Sequence, residues 1–331
     1  MPRKTNRSVN PSQPKALFDE QQEATFSLLA LQAWSPATAM APQQRNRLYI
    51  AGGPGGNSIG PAVHEYIAKS LGLDWTCEFL RMSSIDDVMR LYRAADFAGG
   101  LCDELVKILG ACNTVYLTAD QQLCGSNTDW VGIYDAILAR KPDNHPGKIG
   151  LVYGAGGASR AAIYALSAKL RCRTIYLVNR DDHEVAEVLR DVHEHGDVYK
   201  PQIVHVRKLS EAKELEPPHY IVSTVPDFEA VTAEETQARN ILTEFLQRPS
   251  PSKGLLLDMC YHPPMTRNLK LAKDSGWSIV QGFTVVACQF RVQWELWTGK
   301  AIQTDEVFRL TEKLIRDRDE ALPLVRSNGY H

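Results

Sequence analysis

A glycine-rich turn, GAGGASR at residues 154–160, has the clearest potential for chemistry in this sequence. It follows the continuous apolar run KIGLVY and precedes AAIYALSAKL, whose apolar residues recur at helical spacing. Glycines between a strand and a helix let the backbone approach a pyrophosphate, and the free N–H groups at the helix start attract its negative charge. The turn therefore predicts a dinucleotide site, with a glycine turn that binds no ligand as the alternative.

The next predicted strand ends in Asn179 and Arg180, where a dinucleotide-binding protein contacts the adenosine ribose. An acidic residue there typically binds the ribose hydroxyls of NAD, whereas an arginine can pair with the 2′-phosphate of NADP. Arg180 favours NADP, but Asp181 and Asp182 follow at once and would repel a phosphate. We therefore expect NADP and leave NAD open; a solvent-exposed charge cluster at a helix start is a further alternative.

A second group of polar residues lies in GSNTDWVG, residues 125–132, directly before a predicted helix. Asn127 and Asp129 suit an ordinary turn and helix cap as well as a binding site. Asn113 lies between apolar neighbours, where a buried amide needs hydrogen-bond partners and a ligand is one option. These residues are candidates for a polar substrate site.

The elements that must position these residues predict an α/β fold. Strands are predicted at 47–53 and 75–82, each followed by an amphipathic helix. From about residue 148 to 281 apolar strands alternate with helices, which is typical of the βαβ units of a Rossmann-type parallel sheet. KPDNHPG, residues 141–147, is the best predicted linker.

The predicted organisation has four parts. Residues 1–45 form a poorly ordered N-terminal extension, and 46–140 form an N-terminal α/β substrate-binding domain. Residues 146–282 form a Rossmann-type NAD(P)-binding domain. The C-terminal helices, 283–325, return to pack on the substrate domain.

Composition argues against several classes of protein. The 331 residues are 44% hydrophobic and 23% charged, and the formal net charge of −2 gives no electrostatic basis for binding nucleic acid or an anionic membrane. No apolar run reaches the roughly 18 residues of a spanning helix, and no signal-peptide pattern is present. The seven cysteines contain no C-x-x-C pair, which indicates reduced thiols in a cytoplasmic protein. His193 and His195 lack a supporting ligand cluster, so no metal site is predicted.

A series of short motifs makes the chain similar to one known family. The motifs are NSIGPAVH at 57–64, GACNT at 110–114, GSNTD at 125–129, GAGGASR at 154–160, NR at 179–180, DMCY at 258–261, and QGF, CQF and WTG within 281–299. Their order and spacing resemble those of the shikimate and quinate dehydrogenase family, most of all its fungal branch, over about residues 47–320.

The resemblance implies an oxidoreductase of the shikimate pathway of aromatic amino acid biosynthesis. Such an enzyme transfers a hydride between NADP and a cyclohexene or cyclohexane polyol carboxylate, converting shikimate to 3-dehydroshikimate or quinate to 3-dehydroquinate. It also implies that the small-molecule substrate is the main partner, and that the protein is a monomer or homodimer.

The resemblance further implies roles for individual residues. Ser58 would bind the substrate carboxylate, while Asn113 and Asp129 would hold the ring hydroxyls, with Asp129 also in the catalytic pair. Tyr261 and Gln289 would close the substrate pocket. The residues that would contact the dinucleotide are Gly154, Gly156, Gly157, Ala158, Ser159, Asn179, Arg180, Thr224, Val225 and Gly282.

Two single positions depart from the family pattern. Relatives have a serine or threonine two positions after Ser58, where this chain has Gly60. The lost hydroxyl removes a carboxylate contact worth about 1–3 kcal/mol, or it makes room for the extra C1 hydroxyl of quinate. Val285 replaces a methionine that relatives often place against the nicotinamide, and the apolar contact survives.

The largest departure is a missing segment. Relatives continue an FxGG-like stretch into NVTxPxK, whose lysine is the catalytic partner of the aspartate, but here FAGG (97–100) runs directly into LCDELVKILGACNT. About 15 residues, the length of one strand and a turn, are absent at Leu101–Cys102. Lys107 is the nearest lysine and is predicted on an exposed helix face. The loss should disturb the substrate domain and cost about 10²–10⁴-fold in general acid–base catalysis.

Two explanations fit the missing segment. Either it is an error of the gene prediction and the true protein is an enzyme, or this is a degenerate family member that binds NADP without efficient turnover. We expect an NAD(P)-dependent enzyme by descent, with the catalytic competence of this exact chain open. The alternative is a non-catalytic NADP- or metabolite-binding sensor of the same fold, and a Rossmann enzyme for an unrelated alcohol is a weaker third.

Overall fold

The computed structural model describes residues 45–52, 58–81, 84–102, 112–141, 147–194, 201–250 and 252–321. The predicted N-terminal extension, except for its last residue, lies outside these ranges. So does the predicted helix DELVKILG with Lys107.

The first part of the chain folds around a five-stranded sheet. Its spatial order is β2-β1-β3-β4-β5. Strand β1 lies between β2 and β3 and pairs in parallel with both, whereas the β3–β4 and β4–β5 pairs are antiparallel. The strands are β1 (Arg47–Gly52), β2 (Thr76–Arg81), β3 (Phe97–Cys102), β4 (Thr114–Leu117) and β5 (Leu123–Ser126).

Two helices connect the parallel strands of this sheet. Helix α1 (Gly60–Ser70) follows β1, and Pro61 lies in its first turn, where a missing N–H costs nothing. Helix α2 (Ile85–Tyr92) follows β2, and the Ser84 hydroxyl accepts the N–H of Asp86 at 3.2 Å. Both helices were predicted from the sequence.

Strand β3 lies where the family segment is missing. The FAGG stretch extends through Leu101 and Cys102 into a strand between β1 and β4. Glycine is needed there, because a Cβ at Gly99 would lie 2.4 Å from Nε1 of Trp297 and one at Gly100 would lie 2.5 Å from Cε1 of Tyr92. Because β3 pairs with both β1 and β4, the sheet of the described residues runs without a gap from β2 to β5.

The second part of the chain folds around a six-stranded parallel sheet. Its order is β11-β10-β9-β6-β7-β8. The order reverses between β6 and β9, and such a reversal forms the crevice in which open α/β sheets bind ligands. The strands are β6 (Ile149–Tyr153), β7 (Thr174–Val178), β8 (Gln202–His205), β9 (Tyr220–Ser223), β10 (Leu255–Asp258) and β11 (Ser278–Val280).

Hydrophobic clusters lie on both faces of this sheet because side chains alternate along each strand. Val152 and Leu177 point to one face, whereas Leu151 and Tyr176 point to the other. This double burial explains the uninterrupted apolar runs and confirms the Rossmann-type prediction. Its helices are α4 (Gly157–Tyr164, continued by a π-helical turn at Ala165–Lys169), α5 (Asp182–Glu194), α6 (Leu209–Glu214), α7 (Ala233–Gln247) and α8 (Arg267–Asp274).

Three further helices connect the two sheets: α3 (Asp129–Arg140), α9 (Gly282–Thr298) and α10 (Thr304–Ala321). Val285 and Val292 of α9 belong to the core of the parallel sheet. Phe290 and Trp294 of α9 and Val307 of α10 are buried in the core of the first sheet. The predicted return of the C-terminal helices to the first sheet is therefore confirmed. Within the described ranges, none of the helices has the length and apolar character needed to cross a membrane.

Candidate active site

The glycine turn joins β6 to α4 at the edge of the crevice, and two of its glycines differ in their surroundings. Gly154 has φ +117°, which side-chain-bearing residues rarely adopt. A Cβ there would lie 2.4 Å from Oγ1 of Thr224 and 2.9 Å from Cγ1 of Val225. Gly156 has φ −77°, and no heavy atom lies within 4 Å of the place where its Cβ would project. Gly154 therefore serves packing, while Gly156 leaves an open cradle.

Helix α4 begins beside this cradle, and no side chain caps its N-terminus. Ser159 is buried, and its backbone N–H and its hydroxyl donate to the carbonyl of Gly156 at 3.2 and 2.5 Å. The first N–H groups of a helix have no partner within it, so those of Gly157 and Ala158 are available to an anion. The donors and the space fit the pyrophosphate of a dinucleotide.

The strand after the turn ends in Asn179 and Arg180, and acidic residues engage both side chains. Nδ2 of Asn179 donates to the Glu184 carboxylate at 2.7 Å. Nη1 of Arg180 donates to Oε1 of Glu235 and forms an ion pair with it. Asp181 accepts the N–H of residue 183 at 2.7 Å and so caps α5. The ribose end of the predicted site is therefore rich in carboxylates.

On the side of the first sheet, Ser58 lies at the start of α1. Its Oγ accepts the N–H of Gly60 at 3.0 Å, which leaves its own O–H free to point elsewhere. A Cβ at Gly60 would lie 2.4 Å from Cδ1 of Ile50 and 2.9 Å from Oγ of Ser58. The idea that Gly60 makes room for a further substrate hydroxyl is thus not supported, because the Ile50 side chain fills that space.

Asn113 is a buried polar residue, 7% exposed, directly before β4. Its Oδ1 accepts the N–H of Thr128 at 2.9 Å and the hydroxyls of Thr128 and Thr114 at 3.2 and 3.0 Å. Its Nδ2 donates to no residue of the described ranges. Asn113 therefore has a fixed orientation and an amide donor to offer to a ligand. Thr128, which is fully buried, was not selected from the sequence.

Asp129 opens α3 beside this network. Its N–H donates to Oδ1 of Asn127 at 2.9 Å, so Asn127 forms the turn that the local pattern predicted. Nε2 of Gln289, on α9, donates to Oδ1 of Asp129 at 2.9 Å. The two helices approach closely because position 132 is glycine, where a Cβ would lie 2.7 Å from the carbonyl of Val285. The structure thus brings Asn113, Asp129 and Gln289 together through Thr128.

Tyr261 and Gly282 lie where β10 and α9 meet. Tyr261 is partly buried in the loop after β10, and its ring centroid lies 5.0 Å from that of His262. A Cβ at Gly282 would lie 2.5–2.8 Å from three carbonyl oxygens, those of residues 258, 259 and 260. Only glycine lets α9 begin this close to the loop that positions Tyr261.

Asp258, the last residue of β10, is a polar residue of this region that sequence reasoning missed. It is 1% exposed, and it accepts the Thr266 hydroxyl at 2.6 Å and the Cys260 N–H at 3.2 Å. Burial raises the pKa of its carboxyl to about 6. The two hydrogen bonds favour the charged form and lower the pKa, but burial has the larger effect. An aspartate at the end of an apolar strand was the available signal. It holds both ends of the loop that carries Tyr261.

This carboxyl predicts a pH dependence of stability. Because its folded-state pKa of about 6 exceeds the ordinary value of 3.8, the folded protein binds a proton that the unfolded chain releases between these values. Ionisation of the buried Asp258 carboxyl therefore destabilises the folded protein by its full amount above pH 6, and this effect disappears below about pH 4. As the pH falls from 7.5 to 5, the unfolding free energy of the wild type should rise by about 1 kcal/mol relative to that of D258N. Denaturant titrations at both pH values measure it, and an equal difference at both would contradict the assignment.

The described structure has the architecture of a Rossmann-type α/β oxidoreductase, with the polar network of Asn113, Asp129 and Gln289 on the side of the first sheet. No family model matches the chain. The chain is 34% identical over 292 residues to a quinate dehydrogenase of Emericella nidulans, which covers 78% of this chain and 89% of that protein. It is 31% identical over 273 residues to the pentafunctional AROM polypeptide of Eremothecium gossypii, covering 76% of this chain and 17% of that polypeptide.

Solved structures agree with these relatives. The dehydroquinate dehydratase and shikimate dehydrogenase of S. pombe AroM has a TM-score of 0.64 and 27% identity, covering 81% of this chain and 53% of that one. Other shikimate and quinate dehydrogenases that share the fold were solved with NADP or NAD. The chain belongs to the shikimate and quinate dehydrogenase family.

Proposed function

We propose that this chain is an NAD(P)-dependent dehydrogenase that transfers a hydride between a nicotinamide dinucleotide and a ring carbon of quinate or shikimate. The observation that carries the proposal is the network of Asn113, Asp129 and Gln289, which holds a carboxylate and an unengaged amide donor together. In this proposal residues 46–140 bind the substrate, 146–282 bind the dinucleotide, and 283–325 pack on the substrate domain. The protein acts in the cytoplasm as a monomer or homodimer.

Each substrate-side residue has a chemical role in this proposal. The Ser58 hydroxyl donates to the substrate carboxylate, and Nδ2 of Asn113 donates to a ring hydroxyl. Asp129 accepts a hydrogen bond from the hydroxyl that is oxidised and takes up its proton as the hydride leaves. Gln289 keeps the Asp129 carboxylate in place, and Tyr261 closes the pocket. The family's catalytic lysine has no counterpart in the sequence, so Asp129 is the residue on which the proton transfer depends.

The dinucleotide side is assigned in the same way. The bound nicotinamide would accept or donate the hydride, while the chain holds the rest of the dinucleotide. The cradle at Gly156 and the N–H groups of Gly157 and Ala158 would bind the pyrophosphate, with Ser159 shaping the turn. Asn179 and Arg180 would contact the adenosine ribose, Thr224 and Val225 would line the cleft, and Gly282 would lie near the nicotinamide. The arginine favours NADP, and NAD stays an alternative.

One observation favours a second candidate. Because the NVTxPxK segment is absent, the chain could bind NADP or a metabolite without turnover, as a sensor of the same fold. Its binding residues would be those proposed for the enzyme.

Incubation of the purified full chain with quinate or shikimate and NADP⁺ or NAD⁺ separates these functions. Reduced nicotinamide is followed by absorbance, and binding of each ligand is measured by calorimetry. Turnover establishes the dehydrogenase and names its substrate and coenzyme. Binding of coenzyme and ring acid without turnover establishes the sensor. Binding of neither class of ligand would overturn both proposals.

A further inference from the structure

Arg180 and Glu235 form an ion pair that bridges the two loops beside the glycine turn. Arg180 follows β7, while Glu235 lies in the first turn of α7, the helix after β9. Strand β6 lies between β7 and β9 in the sheet. The pair therefore crosses the carboxyl edge of β6, where the turn that would bind the pyrophosphate begins.

Glu235 is held in place independently of the arginine. Its Oε2 accepts the N–H groups of Val231 and Thr232 at 2.9 and 3.1 Å, and the Thr232 hydroxyl accepts the N–H of Glu235 at 3.2 Å. This is a complete capping box at the start of α7. The two backbone hydrogen bonds and then Arg180 lower the pKa of the Glu235 carboxyl, so it is ionised at neutral pH.

The other acidic residues close to Arg180 in the sequence have partners of their own. The Glu184 carboxylate accepts from Asn179, and the Asp181 carboxylate caps α5. Oδ1 of Asp182 lies 3.5 Å from Nε of Arg207, so the arginine balances the negative charge of this carboxylate. The positive charge of Arg180 is thus already matched by an anchored carboxylate, within a neighbourhood of carboxylates. A 2′-phosphate would have to compete with Glu235 for the guanidinium, whereas the neutral ribose hydroxyls of NAD would not.

We propose that Glu235 is a positioning residue that sets the coenzyme preference of this protein. By holding Arg180 it weakens the binding of the 2′-phosphate of NADP relative to the free ribose of NAD. This inference rests on the proposed function, because it needs a dinucleotide in the crevice. It assigns to Glu235 a specificity role that lies outside the glycine turn and the end of β7.

The test is the ratio of the dissociation constants of NADP⁺ and NAD⁺ for the full chain, measured by calorimetry. E235Q keeps an acceptor for the two backbone N–H groups, because glutamine also forms a capping box. It removes the charge beside Arg180, so the affinity for NADP⁺ should rise about tenfold relative to that for NAD⁺. A merely structural defect would move both affinities together and leave their ratio unchanged.

Glu234 provides the matched control, because it lies exposed on the same helical turn while Arg180 pairs with Glu235. E234Q removes the same charge and should leave the ratio unchanged. In the double variant R180Q/E235Q the gain in NADP⁺ affinity should be lost. An unchanged ratio in E235Q, or an equal shift in E234Q, overturns this inference alone. Failure of the wild type to bind either coenzyme overturns the proposed function as well.

Discussion

Replacement of Asp129 by asparagine is expected to reduce the turnover of quinate or shikimate by about 10²–10⁴-fold, while leaving coenzyme binding unchanged. Asparagine has the same shape, and its carbonyl oxygen can still accept from Nε2 of Gln289. It cannot take up the hydroxyl proton, and it carries no charge to stabilise the developing transition state. Steady-state kinetics give the loss in kcat, and calorimetry with the coenzyme shows that the crevice is intact.

Asp135 provides a control for this variant on the same helix. Its carboxylate lies 2.7 Å from Nη2 of Arg291, in a partly exposed ion pair between α3 and α9. Such a pair contributes about 1 kcal/mol or less to stability, so D135N should fold and turn over substrate like the wild type. If D129N kept the wild-type kcat, Asp129 would not be the proton acceptor and the proposed mechanism would be wrong.

The elements that sequence reasoning found are those with strong local signals. The buried run before the glycine turn and the helix after it were predicted because both patterns are contained in about 25 consecutive residues. Strand β5 was not predicted, since LCGS has no strand periodicity. It is a strand because it pairs with β4, with Ser126 opposite Thr114. That pairing is a tertiary contact and has no signal within the segment itself.

Helix α7 is a different kind of omission, because its sequence does contain the signal. Thr232 and Glu235 form the S/T-x-x-E pattern of a capping box, and Ala238, Ile241 and Leu242 follow at helical spacing. The helix could therefore have been predicted. The ion pair between Glu235 and Arg180 could not, because these residues lie 55 positions apart and meet only through the strand order of the sheet.

The candidate site shows the same division. Asn113 and Asp129 were selected from their local pattern and Gln289 through the family resemblance, but their hydrogen-bond network depends on how α3 and α9 approach one another. Gly60 illustrates the limit of reasoning from a substitution alone. The absence of a side chain at this position suggested room for a further substrate hydroxyl. In the structure the side chain of Ile50, from β1, occupies that room.

The two glycines of the turn, Gly154 and Gly156, are expected to respond in opposite ways to alanine. G154A places a Cβ on a residue with φ +117°, which costs about 1–3 kcal/mol in backbone strain. The same Cβ would lie 2.4 Å from Oγ1 of Thr224, so the turn and the β9 loop must separate. We expect a loss of at least about 2 kcal/mol in the free energy of unfolding, measured by denaturant titration.

G156A should leave stability unchanged or slightly higher, because its φ of −77° and ψ of −167° suit alanine and the space around it is open. It should nevertheless weaken NADP⁺ and NAD⁺ alike, since the added methyl group occupies the cradle proposed for the pyrophosphate that both share. Denaturant titration therefore distinguishes G154A from G156A. Calorimetry with both coenzymes distinguishes G156A from E235Q, which should change only the preference between NADP⁺ and NAD⁺. If G156A bound both coenzymes as tightly as the wild type, the pyrophosphate would not lie in this cradle. The dinucleotide side of the proposed function would then lose its principal support, although the Asp129 network would be untouched.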